Sequence, residues 1–201
     1  MKGSLIIVGF FVLGTICGVC HLLPFDIAET NISYYYALCA LMFSVGLSVG
    51  NDPQTLKNFR SLNPRLVFLP IMTILGTLAG SAAVSLILTH RSITDCLAVG
   101  SGFGYYSLSS IFITEYKGAE LGTIALLANI SREILTLLAA PLLVRWFGNL
   151  APISAGGATT MDTTLPIITR TAGQQFVVVS IFHGFVVDFS VPFLVTLFCS
   201  I

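Results

Sequence analysis

"GGATTMDTTLP", residues 156–166, sets a single carboxylate, Asp162, among four threonines, with a glycine pair before it and a proline after. In a soluble protein this is an ordinary loop, so its meaning depends on what surrounds it. The surroundings are apolar: 55% of the 201 residues are hydrophobic, 9% are charged, and the mean hydropathy is +0.94. A soluble domain carries about 25% charged residues to keep its surface wet. So little charge identifies an all-α, polytopic membrane protein. The formal net charge of zero removes the electrostatic basis for a nucleic-acid partner.

Breaking the apolar runs at charges, prolines and asparagine clusters gives about seven segments of membrane-crossing length in a single transmembrane domain, residues 1–201. They are 4–22, 32–50, 66–89, 96–114, 120–147, 153–170 and 174–200. The opening "MKGSLIIVGFFVLGTICGVC" imitates a signal peptide, but no small-x-small cleavage site follows, so it reads as a retained first span. With the N-terminus cytoplasmic, Lys2, Lys57, Arg60, Arg65, Lys117 and Arg170 fall inside and Arg91 and Arg145 outside. That asymmetry obeys the positive-inside rule and leaves the C-terminus outside. Should 96–114 re-enter instead of crossing, everything after it changes side.

Segment 153–170 is the odd one. Within hydrocarbon every backbone polar group must be satisfied, so non-helical backbone survives only against protein or a watery cavity. Gly156, Gly157 and Pro166 make a continuous helix improbable there, and two half-helices joined by an unwound stretch are expected. Half-helix ends direct partial charges at a ligand. Thr160 and Thr163 add neutral hydrogen-bonding groups, and Asp162 adds a full negative charge. An aspartate at mid-membrane costs about 2.5–3.5 kcal/mol on insertion scales, so it needs a reason to be there. The plain alternative is a solvated loop outside the membrane.

A second polar cluster, "LLANISREILTLL" (126–138), interrupts another apolar segment. Asn129 and Glu133 are four apart and share a helix face, with Arg132 alongside. Arg132 and Glu133 are neighbours about 100° apart around the helix and do not pair with each other, so each calls for a partner on another helix. Asp162 is the candidate for Arg132. The plain reading is that both charges only lock helices together. Were Glu133 and Asp162 to share a cavity, desolvation and like charge would favour a proton on the pair, and an arriving cation would expel it.

Two further stretches offer pathway-lining groups. "GSGFGYYSLSSIFITEY" (100–116) supplies Ser101, Gly102, Gly104, Tyr105 and Ser107, with close helix packing as the equal alternative. No strand precedes its glycines, which speaks against a nucleotide loop. "SIFHGFVVDFSVP" (180–192) supplies His183 and Asp188, where a histidine simply bonded to a neighbouring helix is the plainer reading. The cysteines Cys17, Cys20, Cys39, Cys96 and Cys199 mostly sit in apolar runs without the clustered ligands a metal site needs. No metal, cofactor or enzymatic nucleophile is expected.

These motifs, "SGFGYYSLSSI" (101–111), "LLANISREIL" (126–135), "GGATTMDTTLPIITR" (156–170) and "HGFVVDFSVPF" (183–193), resemble the LysO-type lysine exporter family of bacterial inner membranes. The resemblance covers the C-terminal two-thirds of such proteins. It implies export of L-lysine and its analogues, with Glu133 and Asp162 as the intramembrane acids important for transport. Full-length members carry roughly another hundred residues before the matching part, forming extra spans at about 20 residues per span plus loops. The resemblance therefore implies either a homo-oligomer or a separate small membrane protein supplying the N-terminal half. Asp188 departs from the family pattern, where that position is usually uncharged. The interrupted segment also resembles the discontinuous helix of cation/proton antiporters, in which a second broken helix crosses the first. The segment carrying Gly9, Gly14 and Gly18 is the expected counterpart.

The reading is a lysine exporter working by proton antiport, with lysine, protons and the lipid bilayer as its partners. The rivals are a sodium-coupled carrier of another small solute and a membrane subunit that only scaffolds a partner protein.

Overall fold

The computed structural model describes residues 64–201, residue 89 excepted. The expected spans 4–22 and 32–50, the glycines Gly9, Gly14 and Gly18, and Cys17, Cys20 and Cys39 lie outside the described residues. A short 3-10 turn, Pro64–Phe68, leads into α1, Leu69–Ser85. Next come α2, Ile93–Gly100, and α3, Tyr106–Lys117, followed by the long α4, Ala119–Phe147. Then α5, Ala151–Gly156, runs into a 3-10 turn, Gly157–Met161, and α6, Leu165–Ala172. A last 3-10 turn, Gln174–Phe176, opens α7, Val177–Ser200.

The described residues are all-helical, and three stretches are long and apolar enough to cross a membrane: Leu66–Ser85, Ala119–Phe147 and Gln174–Ser200. Only 11%, 17% and 39% of their most apolar windows are buried inside the protein. Their outward faces carry Met72, Leu127, Leu135, Leu138, Phe189 and Phe193, all exposed. A helix apolar on the outside as well as the inside belongs in lipid, and exposed Trp146 closes α4 where an aromatic belt would lie. The chain is a polytopic membrane protein.

Between these crossings the polypeptide folds back twice. Residues 93–117 form a hairpin, α2 and α3, whose two ends stay together: Lys117 Nζ lies 3.8 Å from Asp95 Oδ1, and Arg91 is ion-paired with Glu120. A straight helix from 95 to 117 would instead separate its ends by about 33 Å at 1.5 Å per residue. Segment 96–114 thus returns to the end of the bundle it left. Residues 151–172 do the same from the opposite end. Ile153 at the start of α5 packs in one cluster with Ile168 and Ala172 of α6 and Val179 of α7, joined by Leu66, Leu69 and Val144. Both segments are discontinuous: residues 101–105 separate α2 from α3, and the 3-10 turn Gly157–Met161 with residues 162–164 separates α5 from α6.

The hairpins enter from opposite ends and their tips meet at mid-depth. Ala158 N donates to Phe103 O at 2.9 Å across the two tips. The meeting requires glycine. Gly157 has φ +63°, and a β-carbon there would sit 2.1 Å from Phe103 O. α7 lies just as close on the other side, since a β-carbon on Gly184 would come within 2.7 Å of Met161 N.

Candidate functional site at the hairpin tips

The site is built around the middle of α4. Asn129 is buried and holds the first tip at both edges: Oδ1 accepts from Gly104 N at 2.7 Å, and Nδ2 donates to Val99 O at 3.2 Å and Ala125 O at 2.9 Å. This satisfies the Gly104 amide that the break between α2 and α3 would otherwise leave bare in a dry environment, and adds a second donor to Val99 O, which also accepts from Gly102 N at 3.3 Å. Phe103 carries the strain of the turn, at φ 45° without being glycine, a conformation that persists only when neighbours fix it.

Arg132, about one turn further along α4, holds the second tip. Its Nε donates to Ala155 O at 2.7 Å and its Nη2 to Ser154 O at 3.0 Å, while Nη1 reaches Thr77 Oγ1 on α1 at a long 3.4 Å. The last carbonyls of the half-helix α5 are thus met by a cation, the sign that suits a helix C-terminus. The guanidinium also lies over the Phe103 ring, 5.9 Å from its centroid, within cation–π range. One side chain therefore touches both tips.

A buried polar relay crosses the same level. Fully buried His183 of α7 places Nε2 2.9 Å from Thr73 Oγ1 on α1 and Nδ1 3.3 Å from Thr160 Oγ1. The Thr160 hydroxyl also lies 2.8 Å from Gly157 O and 2.9 Å from Ser180 O. Thr159 and Thr164, both buried, face each other at 3.2 Å inside the turn.

Asp162 stands at the far side of the second tip and is exposed; its Oδ1 accepts from Thr163 N at 2.6 Å. Asp188, buried on α7, lies one turn beyond Gly184 on the stripe that packs against this tip. Tyr105, half-buried, precedes α3 at the first tip.

Residues 8–199 match the family model described as lysine exporter LysO. The chain belongs to the lysine exporter LysO family. It is 36% identical over 165 residues to "Lysine exporter LysO" of Escherichia coli (strain K12), covering 82% of this chain and 54% of that protein. It is 35% identical over 197 residues to a "Putative lysine exporter" of Haemophilus influenzae, covering 98% of this chain and 96% of that one. The chain thus spans about half the length of the Escherichia coli relative. No solved structure matches.

Within this LysO-family chain, the structure gathers Asn129, Arg132, Gly102, Gly104, Thr160 and His183 about the tips, and leaves other expected groups apart. Arg132 binds the carbonyls of Ser154 and Ala155, where the sequence offered Asp162 as its partner. Glu133 follows Asn129 by four and precedes Thr136 by three, so it shares the α4 stripe whose buried members turn toward the hairpins. It makes no ion pair or hydrogen bond among the described residues. Ser101 is buried and donates to Leu97 O at 2.7 Å, and Ser107 is exposed. Thr163 is exposed beside Asp162. Phe103, Thr73 and Thr77 were not legible beforehand. The glycines around Phe103 marked a turn but not the ring's role, and the two threonines sit in an apolar helix with no local signal.

Proposed function

We propose that the chain exports L-lysine from the cytoplasm across the bacterial inner membrane, in exchange for protons moving inward. The observation that carries this reading is the meeting of two hairpin tips at mid-depth, with Arg132, His183 and Asp162 beside unwound backbone. Unwound backbone and ionisable side chains at membrane depth are how transporters build solute sites. The names of the two relatives supply lysine as the solute.

Glu133 and Asp162 hold the ammonium group or the exchanged proton, and Asn129, Thr160 and Thr163 contribute neutral hydrogen bonds. Asp188, at a position usually uncharged in the family pattern read in the sequence, adds a second carboxylate on the α7 stripe that packs against the tip carrying Asp162. Two carboxylates sharing one site favour a shared proton until a cation displaces it.

Orientation follows from the ends of the bundle. Arg65, Arg145 and Arg170 belong to the end where α4 finishes and α7 begins, whereas Arg91 and Lys117 at the other end are paired with Glu120 and Asp95. The positive-inside rule assigns the first end to the cytoplasm. The C-terminus is then outside, whereas Lys117 and Arg145 exchange the sides expected of them from seven crossings, because each hairpin returns to the side it left.

Purified chain in vesicles, loaded with labelled lysine and given an inward proton gradient, should show accelerated efflux. Glu133→Gln and Asp162→Asn should abolish it while membrane insertion is kept. Efflux driven by a sodium gradient instead would replace the coupling ion, and no flux under either gradient would favour a scaffold role.

A further inference from the structure

Arg132 stands at mid-depth between two cavities. One, of about 770 Å³, runs along α1, α2 and α4 from the Arg91 end and is lined by Gly80, Val84, Val99 and Asn129. The other, of about 680 Å³, runs between α1 and α4 toward the opposite end and is lined by Gly76, Thr136, Ala139 and Leu143. Thr77, Ala128 and Arg132 line both. Arg132 is therefore the charged residue common to the walls of both cavities.

Its charge is not neutralised there. The ion pairs among the described residues join Arg91 to Glu120 and Lys117 to Asp95, and neither involves Arg132. Its partners are two backbone carbonyls and the distant Thr77 hydroxyl. Neutral acceptors and a helix terminus offset part of the cost of a cation at this depth but bring no full negative charge. A guanidinium has five N–H donors in a planar fork. The two good bonds use the Nε and Nη2 edge, and the Nη1 side meets only an oxygen at 3.4 Å, beyond the 2.7–3.2 Å typical of N–H···O bonds. The Phe103 ring and the α5 carbonyls fix the plane of the fork in advance, so little freedom is left to lose on binding.

We infer that the Nη1 side of Arg132 is the dock for the α-carboxylate of an amino-acid substrate, reachable from either cavity. This rests on the transport reading above and adds how the solute is recognised: as an amino acid, not merely as a cationic amine. A carboxylate there completes a charge-assisted pair of the kind that arginine makes best. It also displaces the weak Thr77 contact, which loosens α1 from α4 along the line shared by the two cavities.

Three probes separate the parts: lysine, cadaverine (the same diamine without a carboxylate) and norleucine (the carboxylate without the side-chain ammonium). Protection of the purified full chain against thermal unfolding is measured with each, in the wild type and in Arg132→Lys and Thr77→Val. Wild-type protein should respond to lysine and norleucine at concentrations at least about tenfold below those needed for cadaverine, a factor worth about 1.4 kcal/mol. Arg132→Lys should lose that preference, and Thr77→Val, which frees Nη1 and leaves the fork in place, should keep or widen it. Equal responses to lysine and cadaverine in the wild type, or an unchanged preference in folded Arg132→Lys, overturn the assignment. Equal responses to norleucine and lysine, both lost in Arg132→Lys, uphold the carboxylate dock while removing lysine as the preferred solute. Should Arg132→Lys not fold, the wild-type and Thr77→Val comparisons decide.

Discussion

Ala158 donates its amide proton to the carbonyl of Phe103 at 2.9 Å, and with that single bond the tips of two hairpins entering from opposite ends of the bundle are joined. Neither residue is polar in its side chain. The backbone itself is the contact, as expected where chain leaves its helix inside a membrane and must find partners within the protein.

The junction is intolerant of a methyl group. Gly157→Ala would place a β-carbon 2.1 Å from Phe103 O at φ +63°, combining a clash with a left-handed alanine. Each is a source of destabilisation, and together they should cost about 2–4 kcal/mol. Gly76→Ala is the control, because nothing lies within 4 Å of its added carbon and alanine favours a helix by about 0.5–1 kcal/mol. Thermal unfolding in detergent should show a marked loss for the first and none for the second.

Asn129 is expected to matter through both edges of its amide. Asn129→Leu removes the acceptor for Gly104 N and one of the two donors to Val99 O, leaving the Gly104 amide unpaired at about 1–3 kcal/mol. Asn129→Asp retains the acceptor alone and should fall between leucine and wild type. Equal melting temperatures for the two variants would show that the first tip is held by something else.

The hairpin ends give a topology test that needs no transport. In a cysteine-free background, Lys117→Cys and Glu120→Cys should react with an impermeant thiol reagent from the same compartment. Arg145→Cys and Arg170→Cys should react from the other. Lys117 Nζ lies 3.8 Å from Asp95 Oδ1, so a Lys117→Cys, Asp95→Cys pair should be joined by a thiol-to-thiol cross-linker about as long as the two native side chains it replaces. Labelling of positions 91 and 117 from opposite sides would mean that residues 93–117 cross the membrane.

The acids divide by site. If Asp162 and Asp188 share a proton-exchanging site, Asp188→Asn should weaken the dependence of efflux on the proton gradient while lysine binding remains. On the proposed reading, Asp162→Asn should eliminate efflux. An Asp188→Asn variant indistinguishable from wild type at every gradient would leave Asp162 without its neighbour's help.

Composition determined that this chain lives in a membrane, because apolar surface on every side of a helix has no other stable solvent. The glycines and proline around Asp162 determined that a helix breaks there, since a Gly-Gly pair and a missing N–H disrupt the i to i−4 ladder locally. The same logic located the glycines at 102 and 104, although not that they end a helix and turn it back. Tertiary structure decided the rest. Whether a broken segment crosses or returns depends on what its ends touch, here Lys117 on Asp95 and Ile153 on Ala172, and such contacts leave no periodicity in the letters. Arg132 is the clearest instance. Its sequence neighbours announced a charge in search of a partner, but the backbone carbonyls that hold it are present in every residue and cannot be read from residue type. Only folding brought Ser154 and Ala155 within its reach.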